Sequence, residues 1–249
     1  MAPGHKSSTI RRRVSDWLTL LRFTSRMKRS IAFALIATSL TAACVGPPDS
    51  RRPRSKTPVA QLPDNKDIRQ CMADLNRISA RYTLLPDRNQ GGGCSAINSI
   101  ALTGVGVPVT NVKAIQCPLA RTFALWVRGS VATAVKEHFD SRIARVETMG
   151  AYACRNVVGN PRLAGNRSEH ATANAIDVSA FVLTDGRRIS VEAGWNSTDS
   201  EERAFLRTIR GAACKSFGTV LSPDYNAAHY NHFHLDLSSK NAKSGGYCR

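Results

Sequence analysis

Three of the chain's six histidines fall within six residues, in the run His229-Tyr-Asn-His-Phe-His-Leu-Asp236. No other stretch limits the fold so strongly. If Asn231 to Leu237 is a strand, side chains two apart share a face, so His232, His234 and Asp236 point the same way and two imidazoles converge on one spot. Imidazole is the commonest protein ligand for zinc, and an H-x-H pair on a strand can give one nitrogen to a metal while keeping the other for proton transfer or oxyanion binding. A polar surface strand is the competing reading, and the density of the cluster in a chain with so few histidines argues against it.

A second stretch, Ser168 to Val178 (SEHATANAIDV), places His170 and Asp177 seven residues apart. On one helix these would stand about 10 Å apart along the axis, whereas donors on one zinc lie about 3 to 3.5 Å apart. The chain must therefore bend between them. The β-prone run Ile176 to Leu183 predicts that Asp177 opens a strand and that His170 sits on the loop or turn before it. Two histidines and a carboxylate leave a fourth coordination position for water, the composition of a catalytic zinc site and not of a closed structural one.

SEHATANAIDV resembles the S-x-H-x-x-G-x-A-x-D motif of the D-alanyl-D-alanine metallopeptidases of the M15 and LAS group, and HYNHFHLD resembles their H-x-x-H-x-H motif. The stretch from about Cys71 to Arg249, with AYACR at 151 to 155 and the ending SPDYNAAHYNHFHLD, is similar to the bacterial extensin-like C-terminal domain. The resemblance implies a zinc peptidase acting on peptidoglycan stem peptides. It matches His170, Asp177 and His234 to zinc ligands, and His232 and His229 to catalytic or transition-state-stabilising positions. Ala173 departs from the pattern, standing where the wider group usually has Gly, so the backbone there bends less freely. The other class of reading is a wall-binding or envelope-structural module that zinc only stabilises.

The general base is then a histidine or Glu169, whose place beside a ligand suits an outer position. Asp236 orients a neighbouring imidazole. Arg155 offers a guanidinium for a substrate carboxylate, with Tyr152 beside it as a second substrate contact.

The net charge of +17 invites a nucleic-acid partner. Residues 1–60 carry 12 Lys or Arg against 2 acids, which leaves 23 basic and 16 acidic residues in 61–249, a body of only +7. No helix-turn-helix, zinc-finger or RNP pattern accompanies the charge, so nucleic acid is not the expected partner. Peptidoglycan is, together with the membrane if Cys44 carries a lipid. Met27-Lys28-Arg29, the apolar run Ile31 to Leu40 and the small residues Thr41-Ala42-Ala43 read as an export signal starting at Met27. Cys44 after them resembles a lipobox cysteine; simple cleavage near Ala43 and a retained anchor are the other outcomes. The expected location is the periplasm or cell envelope. Residues 44–62, rich in Pro, Arg and Ser, read as a disordered tether, so the folded domain covers 63–249.

Six cysteines remain: Cys71, Cys94, Cys117, Cys154, Cys214 and Cys248. In an oxidising compartment an even six predicts three disulfides, with fifteen possible pairings. No C-x-x-C supports a thiolate zinc site.

The expected fold is α+β: a small antiparallel sheet carrying the zinc motifs, flanked by helices. Apolar spacing predicts one helix over 67–81 and another from Pro118 to about Phe139, with Phe123, Val127, Val131, Ala134 and Val135 inward and His138 as a dipole partner at its end. Short strands are expected over 95–115 and at Ile143 to Met149, and Thr198 with Glu201 reads as a capping box for a helix through Phe217.

Overall fold

The computed structural model describes residues 66–238 and 246–249. The expected export signal, lipidated Cys44 and tether lie outside the described residues.

Helix α1 (Lys66–Arg77) presents Ile68, Cys71, Met72 and Leu75 to the core, as its apolar spacing predicts. It stops four residues short of the expected end. Ser79, at φ +54°, takes the left-handed conformation that helices cannot continue, and the chain turns into strand β1 (Ala80–Leu84). A hairpin follows, β2 (Arg88–Gly91) and β3 (Cys94–Ala96), its turn carried by Gly92 and Gly93 at positive φ. Strands β4 (Ser99–Val105) and β5 (Pro108–Gln116) account for the Gly- and Pro-punctuated apolar runs.

Pro118 sits in the first turn of α2 (Cys117–Trp126), where its missing N–H costs nothing. The helix passes through a π turn at Val127–Val131 into α3 (Ala132–Phe139). All five residues expected on its apolar face are buried. His138 stands in the last turn of this helix, as expected, and also pairs through Nδ1 with Glu201 at 2.9 Å.

Strand β6 (Ile143–Gly150) leads to β7 (Ala175–Leu183), then β8 (Arg188–Ser190), the short helix α4 (Val191–Gly194), α5 (Ser200–Ala213), β9 (Thr219–Leu221), β10 (Phe233–Asp236) and β11 (Tyr247–Cys248). The cap of α5 is Asp199, whose carboxylate accepts from the N–H groups of Glu201 and Glu202, and not Thr198. The charged Asx cap outcompetes the hydroxyl one residue earlier. The helix also ends before Phe217, although Phe205, Ile209 and Ala213 do turn inward.

The α+β class holds, but the sheet is neither small nor purely antiparallel. Nine strands join it in the order β1-β4-β5-β6-β7-β10-β9-β11, with β8 paired to β7. The β5–β6 and β9–β11 pairs are parallel, while β7 and β10, which carry the ends of the histidine motifs, are antiparallel neighbours, with β9 antiparallel on the far side of β10. Sequence periodicity speaks for single strands and is silent on their partners, which is why the sheet's extent was not visible in it. Helices α2, α3 and α5 pack through an aromatic cluster in which Trp126 meets Phe123, Phe181 and Phe217, and Phe205 meets Phe139 and Phe181. The Trp126 indole N–H, fully inside, donates to the Ile209 carbonyl at 3.1 Å, so burying it leaves no donor unpaired.

The three expected disulfides are Cys71–Cys117, Cys94–Cys154 and Cys214–Cys248. The first ties α1 to α2, the second pins the β2–β3 hairpin to the segment after β6, and the third fastens β11 to the end of α5. Each stabilises the domain by about 2 to 4 kcal/mol. Thiol counting under denaturing, non-reducing conditions is expected to find none of these six free. Four or more free thiols would place the domain in a reducing compartment and remove the staples.

Ala173 yields a second test. It caps the turn before β7 at φ +57°, and its carbonyl accepts from the Gln116 N–H at 2.9 Å. Replacing Ala173 with Gly relieves about 1 kcal/mol of left-handed strain and gives up a buried methyl of similar worth. Thermal melts should therefore shift little in Ala173→Gly, whereas Ala173→Val, β-branched at positive φ, should be strongly destabilised. A Val variant as stable as the parent would mean that the turn is not held in this conformation.

Candidate metal centre

His170 and Asp177 are brought together by a bend, as their spacing requires. Ser168 opens a single 3-10 turn, Glu169–Thr172, with its hydroxyl facing the His170 N–H at 3.4 Å, and Ala173 reverses the chain into β7. The turn is stitched to the segment after β6: the Ala153 N–H donates to the His170 carbonyl, and His170 Nδ1 lies 2.9 Å from the Ala151 carbonyl. Asp177 enters third in β7. In the antiparallel β7–β10 ladder its direct partner is His234.

The three side chains are buried and their donor atoms meet. His170 Nε2 is 3.1 Å from Asp177 and 3.2 Å from His234 Nδ1, and His234 Nδ1 is 3.0 Å from Asp177 Oδ1. These spacings match the edge of a coordination tetrahedron with bonds of about 2.0 to 2.2 Å.

The outer contacts decide what these atoms carry. Ala151's carbonyl can only accept, so His170 Nδ1 bears a proton. Asp236 Oδ2, 3.0 Å from His234 Nε2, claims the proton of that nitrogen. Asp236 is itself held by the Ser238 N–H at 2.8 Å. With both outer nitrogens protonated, neutral imidazoles leave His170 Nε2 and His234 Nδ1 as lone pairs facing a carboxylate. Three acceptors within about 3 Å of one another require a cation between them, either protons or a metal. Two imidazoles and a carboxylate suit zinc.

Without a metal, protons take that role. Burial pushes the His234 pKa down, but the hydrogen bonds and charges of Asp177 and Asp236 outweigh it and hold it up at about 9. Burial likewise pushes Asp177 up, and its bonds to His170 and His234 bring it well below the ordinary carboxylate range.

His232 precedes β10 instead of lying within it, because the strand begins at Phe233. It still reaches the site, with Nε2 3.5 Å from Asp177 Oδ1. Its Nδ1 is 2.8 Å from Asn231 Oδ1, an acceptor, so Nε2 is the bare nitrogen. His229 repeats the arrangement. Its Nδ1 lies 2.7 Å from Asn226 Oδ1, and the Asn226 amide is oriented by the Ala228 N–H and the Gly159 carbonyl. Burial, then the nearby His234 and His232, lower the His229 pKa to about 4, and burial lowers that of His232. Asn226, Asn231 and the Ala151 carbonyl were missed in the sequence. The N-x-x-H and N-H spacings were there to be read, but a backbone carbonyl leaves no signature.

Beside the triad lies a cavity of about 310 Å³, walled by Arg155, Glu169, His229, His234 and Asp236 and by apolar Val157, Val158 and Leu163. Glu169 faces it, yet its carboxylate accepts from Asn174 at 2.8 Å and not from an imidazole of the triad. It braces the turn. Tyr152 is turned away, its hydroxyl donating to Gln90 on β2 at 2.9 Å. The disulfide Cys94–Cys154 draws that hairpin against the segment and gives the phenol a nearer partner. The loop that delivers His229 is fastened from behind, since Asp224 accepts from the Trp195 indole at 2.7 Å and pairs with Arg207 at 2.6 Å.

The metal-free state yields a pH prediction. A group whose folded pKa is raised from 6.5 to about 9 contributes stability that is complete below 6.5 and disappears as pH rises through 9. The chelated protein should melt at progressively lower temperature over that interval. A zinc ion held by the triad would need His234 neutral, so if zinc binds there the zinc-saturated protein should not show this loss, and the stabilisation by zinc should widen with pH. Parallel melting profiles for the two forms would contradict the arrangement.

No curated protein and no solved structure matches the chain. The family model described as "Extensin-like protein C-terminus" matches residues 69–249, a span that holds both histidine motifs and all three disulfides. On that match the chain belongs to the extensin-like C-terminal family.

Proposed function

We propose that the domain is a zinc-dependent peptidase of the bacterial cell envelope that hydrolyses peptide bonds in peptidoglycan stem peptides or cross-links. The observation that carries this reading is the convergence of three buried acceptor atoms, from His170, Asp177 and His234, beside a cavity that reaches solvent. The likeness of both motifs to those of the D-alanyl-D-alanine metallopeptidases supports it. A purely structural metal would be better served by a fourth protein ligand and no cavity. The wall-binding alternative is therefore the weaker reading.

His170, Asp177 and His234 would hold the metal. Zinc bound there supplies Lewis acidity toward a scissile carbonyl and brings a water's pKa from 15.7 to about 7. His232, neutral at physiological pH with Nε2 bare, accepts a proton from the attacking water or, once protonated, donates to the developing oxyanion. His229, also neutral, packs 5.2 Å from His232 between ring centroids and keeps a second bare nitrogen toward the same region. Arg155 on the cavity wall offers its guanidinium to a substrate carboxylate. Asp236 keeps the His234 ring in register.

Single variants separate ligand from base. His234→Ala, which removes one of three protein ligands, should lose both zinc and muropeptide cleavage. His232→Ala should keep most of its zinc and lose on the order of 10² to 10⁴ in rate. Metal analysis and mass spectrometry of muropeptide digests measure the two effects. The reading fails if the zinc-loaded parent cleaves no muropeptide, and the assignment of His232 fails if its Ala variant is as metal-free as His234→Ala or as active as the parent.

A further inference from the structure

We propose a second ligand site, for an aliphatic chain ending in a phosphate group, at the end of β6 remote from the His170–Asp177–His234 triad. β6 runs from Ile143 to Gly150, next to the Ala151 carbonyl that holds His170. Seven steps of about 3.3 Å separate the two ends by about 23 Å. At the Ile143 end lies a cavity of about 410 Å³. Its floor is apolar, from Val105, Val107, Val127 and Ile143, and Arg128, Lys136 and Arg142 stand on its walls.

The cations are not equivalent. Lys136 is committed to Asp140. Arg142 has no side-chain hydrogen bond or ion pair among the described residues. Among the described residues the Arg128 side chain makes one hydrogen bond, to the Val105 carbonyl at 3.5 Å, and keeps most of its five donors unspent.

Two features of the backbone bring Arg128 to this place. It lies within the π turn Val127–Val131, an irregularity frequently found at functional sites. Its guanidinium rests over Gly106, the β4–β5 turn residue at φ +92°, where a Cβ would collide with Nη1. Only glycine admits the arginine there.

Two uncommitted guanidiniums above an apolar floor fit an amphiphile whose head carries about two negative charges. A phosphate monoester supplies that charge, together with oxygens for bidentate pairing; a carboxylate supplies one charge, and a neutral head none. A volume above 300 Å³ is within the range of small-molecule sites.

Calorimetry on the full-length protein with octyl phosphate is expected to show one saturable site. Octyl glucoside, with the same chain and no charge, and inorganic phosphate, with the charge and no chain, should each bind at least tenfold more weakly. Arg128→Gln and Arg142→Gln, both surface changes that leave the core intact, should each weaken octyl phosphate at least tenfold. Gly106→Ala, which displaces Arg128 without changing charge, should do the same if it folds. Chelation of zinc should leave the affinity unaltered. The site is refuted if octyl phosphate does not saturate, if both arginine variants bind like the parent, or if chelation abolishes binding, which would place the anion on the triad. Co-sedimentation with phosphatidic acid vesicles then assigns the source. Recruitment that Arg142→Gln abolishes identifies a bilayer lipid, and octyl phosphate binding without recruitment identifies a free alkyl phosphate.

Discussion

The cross-strand pair of Asp177 and His234 is the constraint on which the rest of the site depends. Directly opposed residues of an antiparallel ladder have Cβ atoms about 4.5 to 5.5 Å apart, so the register alone brings a carboxylate and an imidazole into contact without a loop having to be ordered for it. A slip of β10 by one residue would send His234 to the opposite face and leave Asp177 without it. The apolar residues flanking the pair, Ile176, Val178, Phe233 and Leu235, are fully buried. Their burial holds the register, and so the packing of the core also positions the polar site.

The third member, His170, comes from outside the ladder, and the fold spends its irregular backbone on it. A 3-10 turn, a left-handed alanine and two hydrogen bonds back to residues 151–153 fix one imidazole over the end of β7. The Cys94–Cys154 link lies beside this segment. The elements that meet at the triad are therefore tied by covalent, ladder and turn interactions, which suits a site whose ligands must already be in place before a metal arrives.

The motif-bearing strand and its bend were legible because both rest on local chemistry. A run of β-branched and apolar residues after Ala175 can only be a strand, and two ligands seven residues apart can share a metal only through a turn. The six cysteines were legible as three bridges, but their pairing was not, since it follows from which elements pack together. The same reason hid the nine-stranded sheet: β11 joins β9 in parallel through residues at the very end of the chain, and nothing in Tyr247 or Cys248 announces a partner. Tyr152 reads as a substrate contact in the sequence because it stands with Arg155 just ahead of the metal segment. Its pairing with Gln90 depends on a hairpin residue 62 positions earlier in the chain, a contact that neighbouring residues do not encode.

His232 and His234, two residues apart in one motif, are driven in opposite directions by their surroundings. Burial opposes charge on both. His234 lies between two carboxylates, Asp177 and Asp236, which overcome that cost and make its place attractive to any cation. His232 has one carboxylate at 3.5 Å and a neutral amide behind it, which do not overcome it, so it stays uncharged. A cation entering the site therefore meets its strongest attraction at the His170–Asp177–His234 corner, and the neighbouring imidazole keeps its lone pair. Divergent environments for adjacent titratable groups are how one site separates a ligand from a base. In this domain, Asp236 behind one ring and Asn231 behind the other set the two environments apart.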